Sequence, residues 1–418
     1  MQTAARVAAV VVTKAVFVTE QAALMNRLTE CLYRTVVLSV LALVLTLLFI
    51  PFVQTLHAAT LEEERIDIIY HAYEGDDITV DGPAVLVRKN FAEKISVWGR
   101  YYEDVVSGAS IDVRATASAF VETRTEYSVG ADYLYDKTTM NLSYTNSDSG
   151  DYISDSYSFG ISHDFFGDLT SVALSFGASD ETVLQNGADD FEDEVVSQSY
   201  ALSVSQILTK NIVVGLTAQT IASEGFLNSP YRSVRFLNPD GQSFSLESEL
   251  YPRTHNSDAV AVRYSQYLPY RASIRGEYRF TTDNWGIDAD TYRLDYVHPF
   301  EHWTMHLNAR YYTQTAADFY SDLFPFANAT NVRARDKELS TFNTLSYGIG
   351  GSYDVPDAWI PFGQRASVNL FVDRVEYAYD DFRDVTARDE NNSPFNPGEE
   401  PLFAFDAAVV RFFVSLWY

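Results

Sequence analysis

Residues Leu402–Tyr418, LFAFDAAVVRFFVSLWY, decide the fold class. Counted back from Tyr418 in steps of two, the chain reads Leu416, Val414, Phe412 and Val410, all apolar. Because alternate side chains of a β-strand point to opposite faces, this stretch predicts a strand with one unbroken apolar face. Such a face fits a strand that contacts lipid on one side, and a core strand of a soluble β-sandwich is the alternative.

A strand of this kind, with an aromatic carboxy terminus, resembles the last strand of bacterial outer-membrane barrels. In such proteins the final strand is similar to the signal read by the barrel-assembly machinery. The resemblance implies that this machinery is a partner. It also implies an assembly signal at Val410, Phe412, Val414, Leu416 and Tyr418.

The amino-terminal region predicts export. An apolar run from Thr35 to Val53 follows Arg27 and precedes the small residues Ala58 and Ala59. This order is typical of a secretory signal that is cleaved after small residues. An uncleaved inner-membrane anchor is the alternative, because 19 apolar residues could just span a bilayer.

A signal counted from Met25 has ordinary proportions, whereas one counted from the first residue is too long. We therefore expect residues 1–24 to be a mis-assigned upstream extension and residues 25–59 to be the signal peptide. Residues 60–418 then form a single barrel domain, since no repeat or linker divides them. Cys31, the only cysteine, lies inside the predicted signal.

Composition limits the partners of the mature chain. Removal of residues 1–59 takes away four basic and two acidic residues, so the net charge changes from −27 to −29. Nucleic acid is a poor partner for such an acidic surface. The 55 Tyr and Phe residues suit the aromatic girdles of a membrane barrel.

Period-two alternation recurs from Ile66 onward. Met140, Leu142 and Tyr144, for example, alternate with small polar residues. Later segments place charge on the second face, which fits a watery lumen, although the solvated face of an ordinary sheet is the alternative. The predicted lumen-lining residues are Arg275, Glu277, Arg279, Arg293, Asp295 and Arg310.

The connections between these segments alternate between short turns and longer polar loops. Short periplasmic turns and longer outer loops give this asymmetry in transmembrane β-barrels. Counting from Ile66, we predict an all-β, antiparallel up-and-down barrel of about 16 strands with both termini on the short-turn side. A barrel of 14 strands is the alternative, because the first pair is the weakest.

Two loops could carry chemistry. The stretch Tyr311–Phe342 is long and mixed in charge, and we predict either a constriction inside the lumen or an outer loop that packs on itself. The constriction candidates are Asp318, Asp322, Arg333, Arg335 and Lys337. The acidic loop with Asp189, Asp190, Glu192, Asp193 and Glu194 could hold Ca²⁺, but it lacks the EF-hand spacing, so a solvated loop is favoured.

No catalytic set is apparent. The chain has no nucleophile elbow, zinc motif or phosphate loop. His298, His302 and His306 recur every four residues, but Pro299 and the alternation place them on a turn and a strand, which disfavours a metal site. We expect no enzymatic activity, no metal and no cofactor.

Several segments carry a specific family resemblance, among them YHAYEGDDITVDGPAVLVRKNFAEKISV (70–97), TEYSVGADYLYDKTTM (125–140) and YYTQTAADFYSDLFP (311–325). They resemble an uncharacterised proteobacterial family, domain of unknown function 3570. The resemblance implies a secreted Gram-negative protein that forms an outer-membrane barrel. It supplies no activity and no site residues.

The sequence therefore predicts a barrel in the outer membrane of a Gram-negative bacterium, in contact with lipid and lipopolysaccharide. A pore or transporter for small solutes is the first hypothesis, because sixteen strands leave an aqueous channel. A non-conducting structural or docking barrel with acidic outer loops is the second, and an outer-membrane enzyme is the third. Neither the solute nor the oligomeric state follows from the sequence.

Overall fold

The computed structural model describes residues 60–108, 120–188, 190–360 and 363–418. Sixteen antiparallel strands close into one barrel, and a separate hairpin, β10–β11, lies in the connection between β9 and β12. The predicted fold class is confirmed, and the alternative of 14 strands is wrong. The predicted upstream extension and signal peptide lie outside the described residues. The strands are β1 (Arg65–Gly75), β2 (Ile78–Phe91), β3 (Ile95–Gly108), β4 (Phe120–Tyr135), β5 (Thr138–Asp148), β6 (Tyr152–Phe165), β7 (Thr170–Leu184), β8 (Glu192–Thr209), β9 (Ile212–Gly225), β10 (Ser233–Leu237), β11 (Phe244–Ser248), β12 (Thr254–Tyr267), β13 (Ser273–Asp283), β14 (Asp288–Phe300), β15 (Trp303–Gln314), β16 (Phe342–Asp354), β17 (Arg365–Arg383) and β18 (Leu402–Trp417).

The barrel closes where its first and last strands meet. β18 pairs with β1, and Arg65 lies opposite Trp417. This pairing agrees with the prediction that both termini lie on the short-turn side. The hydroxyl of Tyr418 donates to the backbone carbonyl of Arg88 on β2, at 2.9 Å. The described chain therefore begins and ends at the same rim, and we call the opposite rim the outer end.

The exterior of the barrel is apolar. Leu142, Val129, Leu294 and Ile349 expose 61, 56, 55 and 57% of their surface, although each lies within a paired strand. Closed strand pairing leaves no unpaired edge, so such a surface is stable in hydrocarbon. On β18 the exposed Phe412 belongs to this apolar exterior surface.

The opposite face of each strand is concave, because side chains two strands apart meet across it. Asn308 on β15 donates to Asp373 on β17 at 2.8 Å, with Gly348 of β16 between them. A Cβ atom on Gly348 would lie 1.9 Å from Asp373 Oδ1. Glycine at this position is what allows the two neighbouring side chains to touch.

Tight turns join several strands. Asp76 and Asp77 join β1 to β2 with φ of 51° and 56°, and positive φ at both central residues suits a two-residue hairpin. The outer connections 149–151 and 284–287 are short, although the outer connections are predicted to be the longer ones, because strand pairing continues into the polar sequence. No α-helix in the described part of the chain has the length and hydrophobicity needed to cross a membrane.

Three long outer connections pack together, and we call residues 226–253, 315–341 and 384–401 the cap. The first contains the β10–β11 hairpin. Backbone bridges join the first two, from Leu250 to Arg333 and from Phe236 to Phe324. The cap lies at the outer end, where it contacts the connection between β7 and β8, the strands β16 to β18 and the turn after β1.

Candidate functional site: the barrel interior and its cap

The structure brings the six predicted lumen residues together on three adjacent strands. Each lies on the face opposite an exposed apolar neighbour, such as Tyr278, Leu294 or Tyr311. Arg279 also donates to Gln219 of β9 at 2.9 Å, across β12, which only a concave interior face permits. The six residues thus face the barrel interior.

Sequence inspection missed a seventh member, Arg263 on β12. It pairs directly with Glu277, and its guanidinium approaches that carboxylate at 2.5 Å. The signal was present in the sequence, because Val260, Val262 and Tyr264 alternate with Ala261 and Arg263. We call the five cations on β12 to β15 the arginine row: Arg263, Arg275, Arg279, Arg293 and Arg310.

The arginine row is only partly neutralised. Arg293 contacts Asp295 at 3.0 Å, and Arg263 contacts Glu277. In the described residues, the other three arginines of the row form no ion pair within 4.0 Å. Arg310 instead lies over the ring of Tyr312, 5.3 Å from its centroid.

The interior is open to solvent at this height. Arg263 and Arg293 face inward, yet their side chains are 53 and 55% exposed. Arg411 on β18 and Arg100 on β3, also on the interior face, are 49 and 44% exposed. An inward arginine can be half exposed only where the described part of the chain does not fill the lumen.

A neutral, hydroxyl-rich wall lies on β5 to β8. A cavity of about 350 Å³ runs along it. Ser143 and Ser158 share a hydrogen bond of 2.6 Å. We call this surface the hydroxyl wall, formed by Ser143, Ser156, Ser158, Ser179, Ser197 and Ser199.

The five predicted constriction residues lie in the cap, where three of them form contacts within it and two contact turns of the barrel. Asp322 pairs with Arg235 and Arg335, and Arg333 contacts Glu247 at 3.1 Å. Lys337 pairs with Asp76, in the turn after β1. The Asp318 backbone amide donates to the Trp285 carbonyl at 2.8 Å.

Arg235 is the centre of the cap. Its side chain is 1% exposed and pairs with Asp322 and Glu400, so it joins all three cap connections. Burial alone favours the neutral acid, but the hydrogen bond and charge of Arg235 outweigh it and lower the pKa of Glu400. Burial also lowers the pKa of Arg335, which lies beside the same carboxylate of Asp322.

An aromatic cluster of the barrel packs against the cap. Phe342, Tyr379, Phe382 and Phe403 are buried together at the outer ends of β16 to β18. Tyr320 of the cap packs on them, and its hydroxyl donates to the Asp381 carbonyl at 3.1 Å. The cap therefore contacts the inner wall as well as the rim.

Three of the five acidic candidates, Glu192, Asp193 and Glu194, lie within β8 and not in a loop. Asp193 is bonded to Arg253 at 2.7 Å, and Asp189 lies outside the described residues. In the ranges that the structure describes, no group of three or more His, Cys, Asp or Glu side chains is arranged to hold a metal ion. His298 stacks on Phe300 at 3.9 Å, as a packed aromatic residue does.

A family model described as "Protein of unknown function (DUF3570)" matches residues 115–363. The chain belongs to this family. The matched region of this DUF3570 protein includes the whole arginine row and two of the three cap connections. No curated protein shows significant sequence similarity to the chain.

Solved structures with similar folds include three bacterial barrels. One is a bacterial polysaccharide outer membrane secretin, with 8% identity over 85% of this chain and 98% of that chain, and a TM-score of 0.45. Another is OmpTdeltaL8, a loop deletion mutant of the Vibrio cholerae outer membrane protein OmpT, with 9% identity, coverage of 85 and 98%, and a TM-score of 0.39. A Pseudomonas aeruginosa FadL homologue has 10% identity, coverage of 84 and 90%, and a TM-score of 0.38.

Proposed function

We propose that this protein is a pore or transporter for small solutes in the outer membrane of a Gram-negative bacterium, without enzymatic activity. One observation carries the proposal: arginines on the interior face, such as Arg263 and Arg293, are about half exposed. Sixteen strands enclose a lumen too wide for side chains alone to fill. Water in that lumen gives polar solutes a path through the barrel.

The apolar exterior supports the membrane location. Lipid and lipopolysaccharide are the expected neighbours of the exposed side chains, and the barrel-assembly machinery is the expected partner of β18. Outer-membrane fractions should contain the protein, and it should migrate faster in electrophoresis before boiling than after. A protein that remained in the soluble periplasm would overturn this location.

The cap supports a gate or constriction at the outer end. Its second connection reaches the inner aromatic cluster through Tyr320 and the turn after β1 through Lys337. It therefore covers part of the lumen on the side of β12 to β18. The predicted constriction residues would act here by holding the cap together.

The same cap favours a second candidate, a non-conducting docking barrel. Buried ion pairs around Arg235 interlock three connections into one surface, which could present a partner site without a passage. Reconstitution of the folded barrel in a planar bilayer separates the two functions. Stepwise conductance supports the pore, whereas a folded, heat-modifiable barrel that stays silent supports the docking barrel.

A further inference from the structure

We infer that the arginine row forms an anion-selective site for small hydroxylated organic anions that carry a carboxylate or phosphate group. This inference rests on the proposed pore, and it adds the chemical class of the solute. The row lies at mid-length on β12 to β15, where the interior is open.

The barrel retains an unfavourable pairing of like charges within the arginine row. Arg293 and Arg310 are direct partners across β14 and β15. Like charges directly opposite one another on the same sheet face destabilise the pairing. An anion held between the two guanidinium groups would convert this repulsion into attraction.

The local balance of charge in the arginine row is positive. The whole chain carries −27, yet the arginine row presents five cations against the carboxylates of Glu277 and Asp295. Both of these carboxylates are already paired within the row. Asp283, the remaining acid that faces inward on β13, lies at the outer end and bonds to His255 at 2.8 Å.

The cations of the row are all arginine, and none is lysine. The described residues contain five lysines, but none faces the lumen at mid-strand: three lie at turns, Lys89 faces outward and Lys337 lies in the cap. Arginine presents a rigid fork of donors that matches the two oxygens of a carboxylate or phosphate. Cationic side chains that line a pore select for anions.

The arginine row contacts the hydroxyl-bearing side of the lumen through Arg279. Arg279 bonds to Gln219 on β9, next to Thr217, whose hydroxyl lies 2.9 Å from that of Ser203 on β8. Neutral hydroxyls bond well to hydroxyls of a solute and do not repel its charge. A solute with both an oxyanion and hydroxyl groups would use both surfaces.

The experiment measures the reversal potential of the full mature barrel in a planar bilayer under a potassium chloride gradient. We expect a potential of the sign that denotes preference for chloride, and its size should fall at high salt because of screening. Addition of gluconate or glucose 6-phosphate should reduce the chloride current, whereas glucose should not. The gluconate arm tests the carboxylate, and the glucose 6-phosphate arm tests the phosphate.

The decisive variant replaces the three arginines of the row that form no ion pair within 4.0 Å in the described residues, as Arg275→Gln, Arg279→Gln and Arg310→Gln. We expect a several-fold fall in the chloride to potassium permeability ratio and loss of the block by both anions. Arg374→Gln is the matched control, because Arg374 faces the exterior and pairs with Asp406. Its selectivity should equal that of the native barrel.

The outcomes separate the two proposals. A folded native barrel that does not conduct overturns the pore itself. A native barrel that conducts and prefers potassium, or that neither organic anion blocks, overturns the solute class alone. If the triple variant does not fold, Arg310→Gln alone must still lower the permeability ratio, and an unchanged ratio counts against the arginine row.

Discussion

The guanidinium of Arg235 is buried against the carboxylate of Glu400, although the two residues are 165 positions apart in the chain. Two hydrogen bonds join them, and the second measures 3.2 Å. Asp322 supplies a further carboxylate to the same guanidinium. The three cap connections are thus fixed to one another at a single buried point.

Replacement of Arg235 by methionine should release the cap and leave the barrel closed. Loss of Arg235 leaves the buried carboxylate of Glu400 without its guanidinium partner, which costs roughly 3–5 kcal/mol, whereas Asp322 keeps its pair with Arg335. Limited proteolysis should then cut within 226–253, 315–341 and 384–401, while heat modifiability persists. Arg253→Met, at an exposed pair with Asp193, is the control and should change little. Equal protease resistance of both variants would contradict the role given to Arg235.

Acid should loosen the cap. Because pairing lowers the folded pKa of Glu400 from its ordinary value of 4.5, its ionised form stabilises the folded cap above that value. This stabilisation is lost as the pH falls through the folded pKa. Hydrogen exchange of cap amides should therefore rise, relative to strand amides, below about pH 4.5. A Glu400→Gln variant should lose most of this acid response, and the same response in both proteins would refute the assignment.

A charge on the lipid face should be costly, whereas the same charge on the next residue should not. Leu142 is 61% exposed on the exterior, and Leu142→Arg should destabilise the barrel in a bilayer by about 2–4 kcal/mol. Ser143 is the neighbouring interior residue, so Ser143→Arg places the charge in water. Urea titration of refolded barrels in vesicles measures the free energy of unfolding of both variants. Equal destabilisation would mean that the assignment of faces is wrong.

Two glycines of β16, Gly348 and Gly351, should respond differently to replacement by alanine. In Gly348→Ala the new Cβ would lie 1.9 Å from Asp373 Oδ1, so Asp373 must move away from Asn308. Such overpacking costs about 1–3 kcal/mol. Gly351→Ala meets nothing within 4 Å. Thermal unfolding in detergent should show a lower midpoint for the first variant only.

The terminal strand should govern assembly. Phe412 is exposed on the lipid face of β18, and Phe412→Glu removes one aromatic side chain of the predicted assembly signal. We expect less heat-modifiable protein in the outer membrane and more unfolded protein in the periplasm. Phe326→Glu, at a cap residue that is 59% exposed, is the matched control. Normal assembly of the Phe412 variant would rule out the signal as written.

Much of the barrel follows from local sequence. Alternation along Met140 to Thr145 predicts both faces of β5, and the same rule predicts that Arg275, Glu277 and Arg279 share the interior face. The rule holds because the pleat of a strand depends only on neighbouring residues. The same alternation places Arg263 on the interior face of β12, although Arg263 is not among the residues predicted to line the lumen.

The same rule does not predict the structure of the outer connections. Strand pairing continues to Asp148 and Asp283, beyond the last alternating residues, because each strand there extends along a paired neighbour. The β10–β11 hairpin, by contrast, lies in a region that the sequence presents only as a long polar loop. Its pairing depends on the contacts of Phe236 and Leu250 with the second cap connection.

The sequence by itself determined the barrel class and the two faces of its strands, since these follow from the period of side chains along one strand. The sequence left 14 strands open beside 16, and only the pairing of β1 with β2 and β18 decided that number. Tertiary structure alone decided which charges are neutralised. Arg235 pairs with Asp322 and Glu400, and Lys337 pairs with Asp76, only because barrel closure brings distant connections to one end. The same closure leaves Arg293 facing Arg310 in open water, a juxtaposition that depends on strand register and not on any local pattern.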